Sequence, residues 1–447
     1  MIQPDSTVAI ADPTAKQQIG ELVSSGDSRA WCDSPMSTGA ARSLEPLGTR
    51  ARRLFVELGI PHTRRDPGHK LAHLRGVPFL IDLVRLTKWW WLTSGLVARE
   101  TGVPRLRQFM EICRFTWPEK LHGQLYYMFE LYRPEEQARR GEYLTRWETK
   151  NGLIRELRRH LVPRTVRSNL GNKVAFTQAL LEHGLPGIPI LLSINGGVPT
   201  PAVIDPADFR RDLFTKLRAG KGAQGAGLIK YLGADRYRHR NRELSFAELI
   251  AQLTEQSKLD DLIVLPRLYN HPAIAGLAEE TLMAVRIFTC VNELGEPEPV
   301  FAMLRILGKL EPRWNSITEW AAPVNLQTGK LGILTGDVPE SFTIWSATHP
   351  VTGHQVEGLE LPYWDQIRGI VVAAHKLTDD RFLVGWDIAI TPTGPVILEG
   401  NALPDFIFPQ RVQRQPFGQG RLGQLLHYHL DRLEPKMREW KRSRAAK

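Results

Sequence analysis

The chain is poor in cysteine: Cys32, Cys113 and Cys290 lie far apart in 447 residues, and no two form a CxxC pair. That spacing supports neither a disulfide framework nor a thiolate metal site, and it suits a reducing cytosol. The start, MIQPDSTVAIADPTAKQQ, has no basic stretch leading into an apolar one. No secretory signal is read, and a cytoplasmic protein is expected. Long apolar runs are also missing. The most apolar early segment, Pro78 to Ala98, is broken by Asp82, Arg85 and Lys88, and its uninterrupted part from Trp89 is too short to span a bilayer. It reads as a helix buried inside the protein. The alternative is peripheral contact of Trp89, Trp90 and Trp91 with a membrane face, beside Arg85 and Lys88. There is no Gly-Lys-Ser/Thr phosphate loop and no G-x-S-x-G nucleophile motif. Groove-reading motifs and basic–aromatic repeats are lacking too, so nucleic acid is not an expected partner.

Charge and length say what is there. The 58 Lys and Arg against 48 Asp and Glu leave a formal charge of +10, which favours anionic partners. The length exceeds one ordinary core, so two or three domains are expected. Residues 1–45, rich in Ser, Ala, Gly, Asp and Pro, read as a flexible leader. Residues 46–165 read as a basic helical region, in which Pro134-Glu135-Glu136 has the composition of a helix start. From about 166 the texture changes. Asn172 reads as the cap of a helix over Val174–His183 that stops at Gly184. Short apolar runs bounded by turn residues predict strands at 188–192, 213–217, 227–232, 262–265, 281–292, 300–307 and within 383–401. The period of Ile367, Ile370, Val371, Ala374 and Leu377 predicts a helix over 364–377. The basic end, 413–447, reads as a helical tail.

Two stretches offer chemistry. In Val384 to Asn401 the pattern is strand, turn at Thr393-Gly394, strand. Side chains two apart on a strand share a face, so Glu399 and Asn401 point the same way, and a hairpin brings Asp387 to join them. Three hard oxygen donors on one point suit Mg²⁺. The second stretch runs from Phe214 to Tyr231. A strand bearing Lys216 leads into a loop with Gly220, Gly222, Gln224, Gly225 and Gly227, and a second strand follows. Glycines there let backbone N–H groups approach phosphate oxygens. Each residue alone has a plain structural explanation: Lys173 as a surface lysine at a helix start, Lys216 facing solvent, Arg286 as an ion-pair partner in a sheet, Asn401 as a turn residue.

Taken together and in order, Asn172-Lys173, Lys216, the glycine loop, Leu262 to Arg267, Arg286, and Asp387 with Glu399-Gly400-Asn401 resemble the ATP-grasp superfamily. Within it the chain is similar to the sugar-transfer-associated group and to α-L-glutamate ligase-like proteins, over roughly residues 105 to 412. The resemblance implies an α+β fold in which two subdomains grip ATP, here over 166–412 with the lid subdomain at about 195–265, preceded by the helical region. It implies that Lys173 and Lys216 meet the phosphates and that the glycine loop covers them. The strand at Val264 and Leu265 would present its backbone to adenine. Asp387, Glu399 and Asn401 would hold two Mg²⁺ ions (Mn²⁺ is an alternative), with Glu399 bridging. Many relatives carry an arginine two residues before the metal aspartate; here that position is Gly385, so Arg286 or Arg305 falls to the γ-phosphate. Glu279 or Glu280 is a candidate ribose contact. Arg305, Lys309 and Trp314 to Ser316 would face a carboxylate or a phosphorylated sugar. His349 and His354 are candidates for a proton shuttle, set against the plainer reading of a turn with two exposed histidines. The activity implied is joining of a small-molecule carboxylate, activated as an acyl phosphate, to an amine, with either substrate sugar-linked and a place in polysaccharide assembly. Phosphoryl transfer to an acceptor and a non-catalytic nucleotide-binding role at a membrane are the alternatives.

Overall fold

The computed structural model describes residues 45–57, 77–119, 121–146, 148–149, 170–201, 203–218, 226–278, 281–307, 319–378 and 381–445. The expected leader over 1–45 lies outside them but for Glu45. So do Gly220, Gly222, Gln224 and Gly225 of the glycine loop, and Glu279, Glu280, Lys309 and Trp314 to Ser316.

Helices carry the first part of the chain: α1 (Leu47–Glu57), α2 (Val77–Thr101), α3 (Arg105–Glu119), α4 (Gly123–Met128) and α5 (Pro134–Ala138). Pro134 stands at the first turn of α5 with Glu135 and Glu136 behind it, where a missing N–H is harmless and acids complement the helix dipole. Next comes α6 (Lys173–Glu182). The Asn172 side chain accepts from the Ala175 N–H at 3.3 Å, and the chain turns out through Gly184 at φ +68°. Later helices are α7 (Phe246–Ser257), opened by a Ser245/Glu248 capping box, then α8 (Pro272–Ala275), α9 (Trp364–Lys376), α10 (Ile407–Val412) and α11 (Arg421–Ala445).

The strands form two antiparallel sheets. In the first, β1 (Leu192–Asn195), β2 (Val198–Thr200), β3 (Leu213–Leu217), β4 (Gly227–Gly233), β5 (Arg236–His239), β6 (Arg242–Ser245) and β7 (Leu262–Pro266) lie in the order β2-β1-β7-β3-β4-β5-β6. The second holds β8 (Ala284–Val291), β9 (Pro297–Leu307), β10 (Glu319–Pro323), β11 (Thr335–Gly336), β12 (Leu383–Thr391) and β13 (Gly394–Asn401), in the order β11-β10-β9-β8-β12-β13. The strand expected at 188–192 is a correction: only Leu192 joins β1. Pro186 and Pro189 have no N–H for a ladder. Ile188 packs with Ile263 and Leu265 instead, and Ile190, Phe214, Val396 and Leu398 lie against that group, so this apolar run bridges the two sheets.

Alternation along β8 and β9 sorts the six-stranded sheet into two faces. Val285, Ile287, Leu304 and Ile306 meet Trp364, Ile367 and Val371 of α9 on one side. Phe288, Cys290, Phe301 and Met303 meet Leu47 and Leu54 of α1 and Leu425, Leu426 and Leu430 of α11 on the other. The C-terminal helix therefore closes a core rather than trailing from it. Along that second face the apolar residues give way to Arg286, Arg305, Glu319 and Asp387.

The N-terminal helices have their own core, containing Leu86, Val97, Ile112, Phe115, Tyr126 and Tyr127, which reaches Phe342 and Ile407 of the later chain. Here the expectation of a buried α2 is corrected. Leu86 and Val97 are buried, but Trp91 is 72% exposed. Only one side of the helix finds packing partners among the described residues, and no described helix is long and apolar enough to cross a membrane.

Arg411 on α10 ties these parts together. It is buried, and it donates to the carbonyls of Met128 (3.2 Å), Gly336 (3.2 Å), Ser341 (3.4 Å) and Phe342 (2.8 Å) and to Thr335 Oγ1 (2.8 Å). Burial works against its charge, and Glu130, 3.6 Å away, offsets part of that cost. Arg411→Leu leaves these carbonyls and Thr335 Oγ1 without this donor, while Glu130 keeps Trp345 and Arg133. We expect a loss of about 3–5 kcal/mol in urea unfolding, as for removing one partner of a buried pair.

Candidate functional site

The acidic end is built by the β12–β13 hairpin. Its turn closes at Gly394, whose φ of +133° suits only glycine, and Thr391 Oγ1 donates to the Gly394 carbonyl at 2.7 Å. The register sets Asp387 opposite Glu399 and Gly385 opposite Asn401, with a bulge after Asp387. The three oxygen donors read from the sequence therefore come together: Asn401 Nδ2 donates to Glu399 Oε1 at 3.3 Å, and Glu399 stands opposite Asp387 on the paired strand.

Arginines meet this end from the neighbouring strands. Arg286 on β8 pairs in register with Asp387 and grips it with both arms: Nη2 donates to Oδ2 at 2.7 Å, and Nε donates to Oδ1. Arg305 on β9 reaches Asp387 Oδ2 at 3.5 Å through Nη1, while its Nε and Nη2 hold Glu319, the latter at 3.0 Å. Burial alone would raise the proton affinity of Asp387; Arg286 and Arg305 overcome it and hold the carboxyl below its ordinary range. Burial likewise opposes the charge on Arg305, and Glu319 and Asp387 more than compensate, so its pKa lies above the ordinary one. Gly385 explains why no arginine comes from β12 itself. A Cβ there would stand 2.9 Å from Pro404 Cβ and 3.1 Å from the Phe288 ring, so the neighbouring strand supplies the guanidinium.

Two acids of this network escaped the sequence reading. Glu319 accepts from Arg305, and its own N–H donates to Asp337 Oδ1 at 3.0 Å. Burial, then the Glu319 charge, pushes Asp337 up to about 6. Neither residue sits in a motif; only the antiparallel pairing of Ala321 with Arg305 places Glu319 beside that arginine.

Between the two sheets lies a cleft lined by Lys173, Lys216, Ile188, Ile190, Ile263, Leu265, Leu398 and Glu399. Lys173 opens α6 and Lys216 lies on β3, so both cations and the Glu399 carboxylate share one wall-to-wall space. Burial, then the Lys173 charge, pulls Lys216 down to about 8, with Glu399 and Asp387 pulling the other way. The space between these side chains is narrow, about 10 Å³, room for a single water. The strand face of β7 is divided: Ile263 and Leu265 line the cleft, while Val264 is buried in the core of the seven-stranded sheet. The Val264 carbonyl also accepts from the Leu191 N–H at 3.0 Å. The expectation that Val264 presents its backbone to a base is thus corrected, because β7 is flanked by β1 and β3. Gly227 opens β4, where a Cβ would come within 2.8 Å of Thr215 Oγ1; its glycine is required by packing against β3.

His349 is buried, against the plain reading of an exposed turn, and His354 is exposed. His349 Nδ1 accepts from the N–H groups of Val351 (3.3 Å) and Thr352 (3.1 Å), and its ring meets Trp320 edge-on. Nδ1, accepting from two backbone donors, holds the turn, while Nε2 is buried without a hydrogen-bond partner among the described residues.

The residues fit a hard divalent cation. Two carboxylates face each other across adjacent strands, an arrangement that a cation relieves, and Asn401 adds a neutral oxygen donor. Among the described residues no group of three His, Cys, Asp or Glu side chains converges. Asp387 Oδ1 accepts from Arg286 and keeps a further lone pair, whereas Oδ2 accepts from both Arg286 and Arg305.

Asp337 gives a pH test. Its folded value lies above the ordinary 3.8, so the stability it contributes is present below that value and is lost as pH rises through about 6. Asp337→Asn keeps an oxygen acceptor for the Glu319 N–H. Its urea midpoint should match the parent near pH 4 and exceed it at pH 7.

A family model described as sugar-transfer associated ATP-grasp matches residues 153–418. Among solved structures, the D-alanine-D-alanine ligase from Coxiella burnetii is 13% identical with a TM-score of 0.33 and 62% of each chain covered. The Bacillus anthracis D-alanine–D-alanine ligase complexed with ATP is 10% identical, TM-score 0.32, covering 62% of this chain and 68% of that one. The ATP-grasp ligase PsnB complexed with a minimal precursor is 16% identical, TM-score 0.30, covering 59% and 60%. The chain thus spans 62% of the length of the Coxiella ligase. No curated protein matches. Its α+β architecture of two antiparallel sheets facing across a lysine-lined cleft, together with a match over 153–418, places the chain in the sugar-transfer-associated ATP-grasp family.

Proposed function

We propose that the protein is an ATP-dependent carboxylate–amine ligase. The observation that carries this is the meeting of Lys173, Lys216 and Glu399 in one cleft, with Glu399 also belonging to the Asp387–Asn401 group that Arg286 and Arg305 border. In this reading a substrate carboxylate attacks the γ-phosphorus of ATP, the bond to the β-phosphate oxygen breaks, and ADP and an acyl phosphate result. An amine then attacks the acyl carbon, inorganic phosphate leaves with the bonding pair, and the amine loses a proton as the amide forms.

The chain's task is to let two anions approach. Lys173 and Lys216 neutralise phosphate oxygens along the cleft. Arg286 and Arg305 stand where the transferred group and the attacking carboxylate gather charge, held in place by Asp387 and Glu319. Mg²⁺ held by Asp387, Glu399 and Asn401 would screen the phosphate oxygens and polarise the terminal phosphoryl group. Ile188, Ile263, Leu265 and Leu398 form an apolar wall suited to a flat base and keep water from the acyl phosphate. No side-chain nucleophile is needed. In the same reading the acid or the amine is sugar-linked and the product enters polysaccharide assembly; the family is described as sugar-transfer associated.

Mass spectrometry of products from Mg²⁺-ATP and a pooled set of acids and amines tests the reading. Ligation gives ADP, phosphate and one new amide; a phosphorylated acceptor would instead identify a kinase. Glu399→Gln and Lys216→Ala should each lower turnover by about 100-fold or more, the size found when one stabilising group is removed from a charged transition state. Full activity in both variants would overturn the assignment.

A further inference from the structure

The α2–α3 hairpin leaves an apolar stripe outside the protein. Leu80, Val84 and Trp91 follow at intervals of four and seven residues, which at 3.6 residues per turn sets them on one side of α2. They are 57%, 66% and 72% exposed. On α3, Leu106 and Met110 stand one turn apart and are likewise exposed. Arg105 joins the two stripes: its guanidinium carbon lies 5.8 Å from the Trp91 ring and 5.0 Å from Trp90, and its Nε donates to Ser94 Oγ at 2.9 Å. The inner sides of the same helices supply Leu86, Val97, Ile112 and Phe115 to the N-terminal core. Both helices thus have a full complement of core residues and a second apolar side besides, which solvation of scattered surface residues does not explain.

The charges beside the stripe are of one sign. Lys88, Arg99, Arg105, Arg107 and Arg114 are exposed, and Glu100 is the one exposed acid among the described residues of α2 and α3. Glu100 is nine residues from Trp91, half a rotation away, so it lies on the far side of the helix. Glu111 is engaged by Arg107 at 2.9 Å and by the Tyr126 hydroxyl at 2.6 Å. A second copy of this face would set these cations against their own kind. An anionic bilayer offers what the face requires: negative headgroups for the cations, and an interfacial layer that accepts tryptophan and aliphatic side chains to a shallow depth.

We propose that this face seats the protein on an anionic membrane surface, with Leu80, Val84, Trp91 and Leu106 entering the interface and Lys88, Arg99 and Arg114 meeting lipid phosphates. The seating is independent of the catalytic reading.

Co-sedimentation of the full chain with vesicles of phosphatidylcholine containing about one third phosphatidylglycerol, and with pure phosphatidylcholine, tests it. Binding to the anionic vesicles should be about 10-fold or more tighter, and should weaken as salt shortens the Debye length. The triple variant Leu80→Gln, Val84→Gln, Trp91→Gln should lose about 10-fold or more of that binding with an unchanged melting midpoint, because these side chains contact water in the free protein. Lys88→Glu with Arg99→Glu and Arg114→Glu should abolish the preference for anionic lipid. Failure to bind anionic vesicles, or equal binding by the triple variant, overturns the proposal. So does a concentration-dependent dimer that the triple variant dissolves, which would assign the face to self-association.

Discussion

The pairing of Arg286 with Asp387 across β8 and β12 is the interaction on which the site depends. A carboxylate inside a sheet is costly unless its charge is matched, and the two-armed contact matches it with fixed geometry. Arg305 extends the arrangement to Glu319, so that two arginines on β8 and β9 stand between acids on β12 and β10. Deleting one member would strand the others, which makes the group a unit. In the proposed reading, guanidinium groups already held by carboxylates need little reorganisation to share their donors with phosphate oxygens.

The rest of the fold supports this unit from behind. The face that carries it continues into an aromatic core of Phe288, Phe301, Phe406 and Phe417, closed by the first and last described helices. Ends of the chain thus brace the sheet that holds the charged network. Arg411 adds a second brace, because its donors satisfy carbonyls from both the N-terminal helices and the later loops. The seven-stranded sheet is joined to this body by the apolar residues around Ile188 and Leu398, without a comparable polar clasp among the described residues. Apolar contact is non-directional. Such a seam can slide without stranding buried polar groups.

Much of this was legible in the chain itself. The alternation in Val384 to Asn401 announced a hairpin, and the spacing of Glu399 and Asn401 put their side chains on one face; a two-residue period leaves little freedom. Lys216 in a strand before a glycine-rich stretch, and Asn172-Lys173 at a helix start, were equally local signals. The run at 188–192 misled, because apolar composition does not reveal that prolines prevent a ladder. His349 misled for a related reason, since the sequence shows a turn but not the cover that buries it.

What the sequence by itself determined was therefore the set of local elements and the order of the candidate residues, because backbone periodicity and capping act over a few positions. Only the tertiary structure decided which charges meet. Glu319 reaches Arg305 through strand register, Asp337 joins through a single backbone N–H, and Gly385 is forced by Pro404 and Phe288 from distant segments. It also decided which side of α2 lies outside, since its apolar residues surround the helix and only packing against α3 and α4 selects the side that is buried. Long-range pairing and burial are properties of the assembled chain, and no local pattern encodes them.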